Sequence, residues 1–274
     1  MLFDKRLAFY RFMYYNREKQ TKGGSEMKKP IVILGPMESE SAILIKRLEN
    51  RREHPIGVYT FYEGEIDGYP AVVCRTYIGV VNSATVTALA IQKFSPLCVI
   101  IQGTSGAHDP TLHQGDIVLG EKMVNIGRFF TPHRDKGEGT DTFAWEPHGS
   151  EILSLQADEV LYLHSDRRIL EIAETVPYTD GRVIRGVIGA ADIWNKELDM
   201  LMHLHRTLGT ECEEMEGYGV AQVCAQLSTP CADIRVISNS EWHKEEEFNE
   251  KYGEQCQMFV LEVVRRLIAE EALM

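Results

Sequence analysis

The sequence predicts an α/β fold built on a mostly parallel sheet. Three observations carry that expectation. Short apolar runs alternate with stretches of helical period from Ile31 onward, an Asp67-Gly68 pair separates two strand-like runs, and no linker or internal repeat interrupts the alternation.

Ile31-Val32-Ile33-Leu34-Gly35 is a buried strand ending in glycine, and Met37 to Glu49 carries Ile43, Leu44 and Leu48 at helical spacing. Runs 59–66 and 71–77 flank Asp67-Gly68 and read as a hairpin. A helix is expected over 82–94 and a strand over 98–102, which runs into the turn Gly103-Thr104-Ser105-Gly106. A further strand is expected at 116–119. The polar stretch 128–150 reads as a long mobile loop beside a site. Helices at 165–175, 196–208, 215–226 and 245–271 alternate with strands at 183–188 and 232–237.

Composition narrows the function. With 44% hydrophobic and 26% charged residues over 274 positions, the chain is an ordinary globular mixture long enough for a sizeable core. A formal charge of −12 argues against general affinity for nucleic acid or anionic membranes. The six cysteines are dispersed, mostly in apolar runs, and read as reduced core residues of a cytoplasmic protein. No apolar run reaches the roughly 18 residues that span a bilayer. His203-x-His205 lacks the i, i+4 spacing of a helical zinc site, so neither metal nor cofactor is expected.

Residues 1–26 differ from the remainder. The stretch is basic and aromatic without the apolar core of a secretory signal, and Lys22-Gly23-Gly24 precedes Met27. Codons for Lys-Gly-Gly can spell a ribosome-binding sequence, so one expectation is a native start at Met27 and a single domain over 27–274. The other is a short N-terminal helix or arm.

Four polar constellations punctuate the apolar runs. Glu38 and Glu40 follow the first strand, where acids suit a helix N-terminus or can orient a water in a cleft. Gly103-Thr104-Ser105-Gly106-Ala107 offers close backbone approach and hydroxyls, but no GK[ST] element of a P-loop. Glu211-Cys212-Glu213-Glu214-Met215-Glu216 packs acids that can accept both hydroxyls of a ribose diol, or simply favour a helix start. Ser238-Asn239-Ser240 ends the last strand, where a rigid sheet hands side chains to solvent.

In order and local wording these stretches resemble the nucleoside phosphorylase superfamily, in particular its methylthioadenosine/S-adenosylhomocysteine nucleosidase branch. The likeness runs from about Pro30 to Leu267 and is best at ILGPMESE, IIQGTSGAHDPTLHQGDIVLGE and CEEMEGYGVAQVC through RVISN. It implies a three-layer α/β/α sandwich with a mostly parallel central mixed sheet, and a homodimer. By resemblance Glu40 holds the attacking water, and Ser105 with Gly106 and Ala107 forms the water- and sugar-binding turn. Glu214, Met215 and Glu216 form the ribose segment, with Glu216 on the 2′ and 3′ hydroxyls. Arg235 and Ser238 flank the position of the catalytic aspartate.

That position holds Asn239. Cleaving a purine N-glycosidic bond leaves negative charge on the base, and an aspartic acid would protonate it at N7. An asparagine can donate a hydrogen bond there but cannot give up a proton. A second departure lies at Ala191-Asp192-Ile193-Trp194, where the base-stacking aromatic is Trp194, two positions beyond the family's phenylalanine. Asp192 is open to two readings, a substitute acid for the base or a helix cap for the segment beginning at Asn195.

The expected function is hydrolysis of a purine or 5′-modified purine nucleoside to free base and sugar. A phosphorylase for 6-oxopurine nucleosides and a nucleoside-binding protein that has lost its acid stand as alternatives. A buried carboxylate at Glu40 would repel phosphate, which favours water.

Overall fold

The computed structural model describes residues 28–152 and 157–271, so the expectations for residues 1–26 lie outside the described residues. β1 (Ile31–Gly35) leads through a 3-10 turn (Glu38–Glu40) into a short helix, α1 (Ala42–Arg47). β2 (Glu49–Ile56), β3 (Tyr59–Ile66) and β4 (Tyr69–Arg75) form an antiparallel meander, with Asp67 and Gly68 both at positive φ in the tight turn between β3 and β4. α2 (Val80–Phe94), β5 (Cys98–Ala107) and β6 (Ile117–Asn125) follow. Two small pairs come next, β7 (Phe129–Phe130) with β8 (Glu146–Pro147) and β9 (Ser150–Ile152) with β10 (Ala157–Val160). The chain ends with β11 (Tyr162–His164), α3 (Arg167–Glu174), β12 (Val183–Ala190), α4 (Leu198–Leu208), β13 (Thr210–Glu214), α5 (Gly217–Gln226), β14 (Cys231–Asn239) and α6 (Lys251–Glu271).

Three layers result. Apolar faces of α1, α3 and α6 cover one side of the central sheet, with Leu44, Ile169, Leu170, Phe259 and Val263 packed on Ile31, Ile33 and Ile100. Val86, Ala90, Tyr218 and Val220 of α2 and α5 cover the other side, against Val32, Leu34, Val99 and Ile101. The strands β1, β5 and β14 are buried on both faces, so β1 and the start of β5 read as unbroken apolar runs, while β14 carries the buried pair Asp233 and Arg235 among apolar residues.

Parallel pairings (β1 with β4 and β5, β5 with β14, β12 with β6 and β13) make the centre of a mixed sheet. β13 pairs antiparallel with β5, and β14 pairs antiparallel with β6, so β5, β13, β12, β6 and β14 close into a ring. Ala107, Leu112, Val118, Ile188, Cys212 and Ile237 fill it.

Several local expectations change. The helix expected over 37–49 breaks after Arg47, and Glu49 begins β2 instead. The turn expected at Gly103–Gly106 is strand, because β13 and β14 pair along β5 as far as Gly106 and Ala107. β13 was hidden because its acids read as a solvated helix start. The stretch 128–150 contributes no residue to the cleft at the ends of β1, β5, β13 and β14, and Phe143 within it packs edge-on against His203 of α4.

Candidate active site

The ends of β1, β5, β13 and β14 converge on one cleft. Its wall holds Glu40, Ser105, Gly106, Ile193, Trp194, Glu214, Met215, Glu216, Arg235, Ser238 and Asn239, all anticipated from the sequence. Two anticipated residues lie elsewhere. Ala107 points into the apolar filling of the strand ring. Asp192 is exposed, and its Oδ1 accepts the Val80 N–H at 2.9 Å, so it caps α2 from across the fold. The cap expected for the segment after Asn195 is therefore made for a different helix.

Glu40 sits fully buried in the 3-10 turn that follows β1. Its Oε1 accepts from the Thr104 N–H and the Thr104 hydroxyl, each at 2.7 Å, and its Oε2 from the Met37 N–H at 2.9 Å. Gly103 makes room for this. A Cβ at Gly103 would stand 2.7 Å from Glu40 Oε1 and 3.1 Å from Arg235 Nη1. Burial pushes the Glu40 carboxyl up, while Arg235 and the Thr104 donors pull it back only in part.

Arg235 on β14 is fully buried and bound by acids on three sides. Its Nε donates to Asp233 Oδ1 at 2.7 Å, its Nη1 to Glu216 Oε2 at 3.2 Å, and its Nη2 lies 2.6 Å from Glu214 Oε2. Burial works against the charge, but Asp233, Glu214, Glu216 and Glu40 hold the guanidinium well above its ordinary range. One cation cannot balance four carboxylates, and burial pushes Glu214 and Asp233 up despite the pull of Arg235. The cluster therefore shares protons as a unit.

The two glutamates of the Glu214-Met215-Glu216 segment differ in task. Glu214 accepts the N–H groups of Glu216 and Gly217 at 2.7–2.9 Å and so ties down the start of α5. Glu216 accepts the Gly79 N–H at 3.0 Å and the Arg235 guanidinium, with its carboxylate at the cleft wall.

Asn239 ends β14, and it lies in register with Gly106 of the neighbouring strand. The Ser238 hydroxyl sits 2.9 Å from Asn239 Oδ1 and 3.2 Å from the Ser105 carbonyl. A Cβ on Gly106 would stand 3.2 Å from Asn239 Nδ2. The site thus offers carboxylate acceptors at one end and an amide donor at the other. It can take a proton from water, accept hydrogen bonds from a diol, and donate to a ring nitrogen without protonating it.

Sequence reasoning missed several contributors. Thr104 fixes Glu40. Glu213 lines the cleft beside a buried His108, with His108 Nε2 at 3.0 Å from Glu213 Oε2, and Glu213 accepts the Asn195 N–H at 2.7 Å. Ile78 and Phe248 add apolar wall, and Phe248 meets Trp194 edge-on with ring centroids 5.6 Å apart. The signal for Asp233 was present: Asp233-Ile234-Arg235 puts opposite charges at i and i+2 in an apolar strand, hence on one face, where burial demands that they pair.

Comparison with known proteins identifies the family. Among curated relatives, the 5′-methylthioadenosine/S-adenosylhomocysteine nucleosidase of Anoxybacillus flavithermus is 29% identical over 244 residues, 88% of this chain and 98% of the relative. The nucleosidase of the same name from Geobacillus kaustophilus is 31% identical over 210 residues, 76% of this chain and 83% of the relative. The crystal structure of the Neisseria meningitidis nucleosidase with methylthio-immucillin-A superposes with a TM-score of 0.71 at 25% identity, covering 86% of this chain and 98% of the other. The sequence pattern of the phosphorylase superfamily matches residues 30–269, and the chain belongs to that superfamily.

Proposed function

We propose that the protein is a hydrolase that cleaves the N-glycosidic bond of a purine nucleoside, with or without a 5′ modification, to free base and sugar. The observation that carries this reading is the Glu40 carboxylate, fixed over Gly103 by Thr104 and Met37 donors. Held there with its basicity raised by burial, Glu40 orients a water and draws off a proton as the water attacks the anomeric carbon. Glu216 accepts the ribose hydroxyls, and its contact with Arg235 fixes its direction. Asn239 donates to the departing base, and Trp194 offers an aromatic face to it. Ser105, Gly106 and Met215 shape the sugar site, while Ser238 orients the Asn239 amide. Ile78 and Phe248 suit an uncharged 5′ substituent.

Water is favoured over phosphate by the same contacts. Among the described residues, the only cation lining the cleft is Arg235, and its guanidinium is enclosed by three carboxylates. The donors that could cradle an anion at Thr104 and Met37 are taken by Glu40. The relatives named above are nucleosidases, which supports the same choice.

We also propose a cytoplasmic homodimer. All six cysteines lie buried as thiols, as suits a reducing compartment. Exposed Tyr77, Ile78 and Val81 cluster near the cleft mouth as an apolar patch suited to a second copy. Sedimentation would show a mass of two chains, and a monomer would remove this assembly.

The activity is tested by incubating the protein with methylthioadenosine, adenosylhomocysteine, adenosine, inosine and guanosine, with and without phosphate, and chromatographing for free base. Base release in plain buffer supports the hydrolase. Release only with phosphate, with ribose 1-phosphate formed, would make it a phosphorylase. Tight binding without turnover would make it a binding protein.

A further inference from the structure

We propose that His113, His243 and Glu246 form a binding site for a divalent transition cation such as Zn²⁺, one that braces the wall of the cleft. His113 lies 130 residues before His243 and Glu246 only three after it, so spacing along the chain showed no complete site. In the fold one donor atom from each lies within 4.8 Å of the other two. His113 Nδ1 is 2.8 Å from Glu246 Oε1, and the two imidazoles stack with centroids 4.1 Å apart and planes 19° from parallel. A tetrahedral cation with bonds of roughly 2.1 Å needs its ligands about 3.4 Å apart. The His113–Glu246 separation is shorter than that value, and the stacked imidazoles hold their in-plane lone pairs side by side, so cation binding turns the two rings toward a common centre.

Two contacts outside the cluster prepare it. His243 Nε2 donates to the Pro110 carbonyl at 3.1 Å, which fixes the tautomer and leaves the Nδ1 lone pair for a cation. Glu246 Oε2 accepts the Gln114 N–H at 3.0 Å, leaving Oε1 as the ligand. His113 is exposed enough for water to complete the coordination.

The position gives the site a consequence. Residues 240–248 leave β14 directly after Asn239 and return to the cleft at Phe248. On the facing loop Gln114 Nε2 donates to the carbonyls of Ser238 and Glu247 at 2.7 and 2.6 Å. A cation held by His113 on one loop and by His243 and Glu246 on the other cross-links the segment that carries Phe248.

The test is Zn²⁺ titration of the full, untagged chain by calorimetry, with hydrogen exchange of residues 240–248 as a second reading. One Zn²⁺ per chain, slower exchange in that segment, and loss of both in His243→Ala are expected. Glu246→Gln keeps the Gln114 contact through its amide oxygen and should weaken binding at least about tenfold. No saturable uptake by the wild-type chain, or equal uptake by a His113→Ala/His243→Ala double variant, would overturn the proposal. Neither reading depends on turnover.

Discussion

The Ser238 hydroxyl lies 2.9 Å from Asn239 Oδ1 and so turns the amide nitrogen toward Gly106 and the cleft. The site therefore presents a donor that binds the base without protonating it. Asn239→Asp leaves the serine contact available and adds a dissociable proton. We expect kcat on the best nucleoside to rise by about 10² or more, within the usual range for a general acid. Single-turnover kinetics with chromatography of the base checks it, and an unchanged rate would mean that leaving-group protonation does not limit the reaction.

Glu40→Gln should lower kcat by about 10²–10⁴ with a small change in KM, because the amide keeps an acceptor but loses the base. Burial raises the Glu40 carboxyl above its ordinary 4.5, so activity should fall on its acid side at a pH above that value. The pH profile of kcat/KM reads this directly. A profile flat down to pH 4.5 would argue that another group takes the proton.

Gly103→Ala should remove most activity and also lower stability, since the methyl overpacks a buried cluster. The added methyl meets Glu40 Oε1 at 2.7 Å and displaces the carboxylate from the Thr104 donors. A loss of kcat on the scale of Glu40→Gln, with KM for the nucleoside nearly kept, is the expected pattern.

Asp192 acts on stability. Asp192→Ala removes an acceptor for the α2 N–H groups and should cost about 0.5–2 kcal/mol in urea unfolding. Asp192→Asn retains an acceptor and should keep turnover within about threefold. A hundredfold loss would restore Asp192 to the chemistry.

Asp116 makes stability depend on acid. Burial would raise its carboxyl, but hydrogen bonds from the Arg182 side chain and backbone and from the His113 N–H win, and it lies below its ordinary 3.8. A carboxylate lowered on folding stabilises above its unfolded pKa and loses that contribution as pH falls through the folded one. Asp116→Asn should cost about 1 kcal/mol near neutrality, a value discounted because Arg182 is half exposed. The gap to wild type should close below pH 3.8 in thermal melts.

The alternation of strand and helix was legible because β1, β5 and β14 are buried on both faces and so are predominantly apolar where they cross the core. β13 was not, since Glu213 and Glu214 are buried only by virtue of His108 and Arg235, partners more than 20 residues away in opposite directions. Local pattern cannot carry such pairing. The same limit hid Thr104, whose role exists only once Glu40 folds over Gly103, and the target of Asp192, which caps a helix that begins 112 residues earlier. Glu40, Glu216 and Asn239 were legible as polar groups placed at the ends of apolar strands, and Arg235, in the middle of β14, only through the family resemblance.

The ring closed by β5, β13, β12, β6 and β14 also sets an order of events during synthesis. Glu40 is made well before the strand that carries Arg235 and Asn239, and that strand slots between β5 and β6, which precede it in the chain. A nascent chain stopped before Cys231 would leave those two strands without their common neighbour and the acids of β13 without their cation. Such a chain lacks Arg235 and Asn239, so the cleft cannot be completed until β14 has been made.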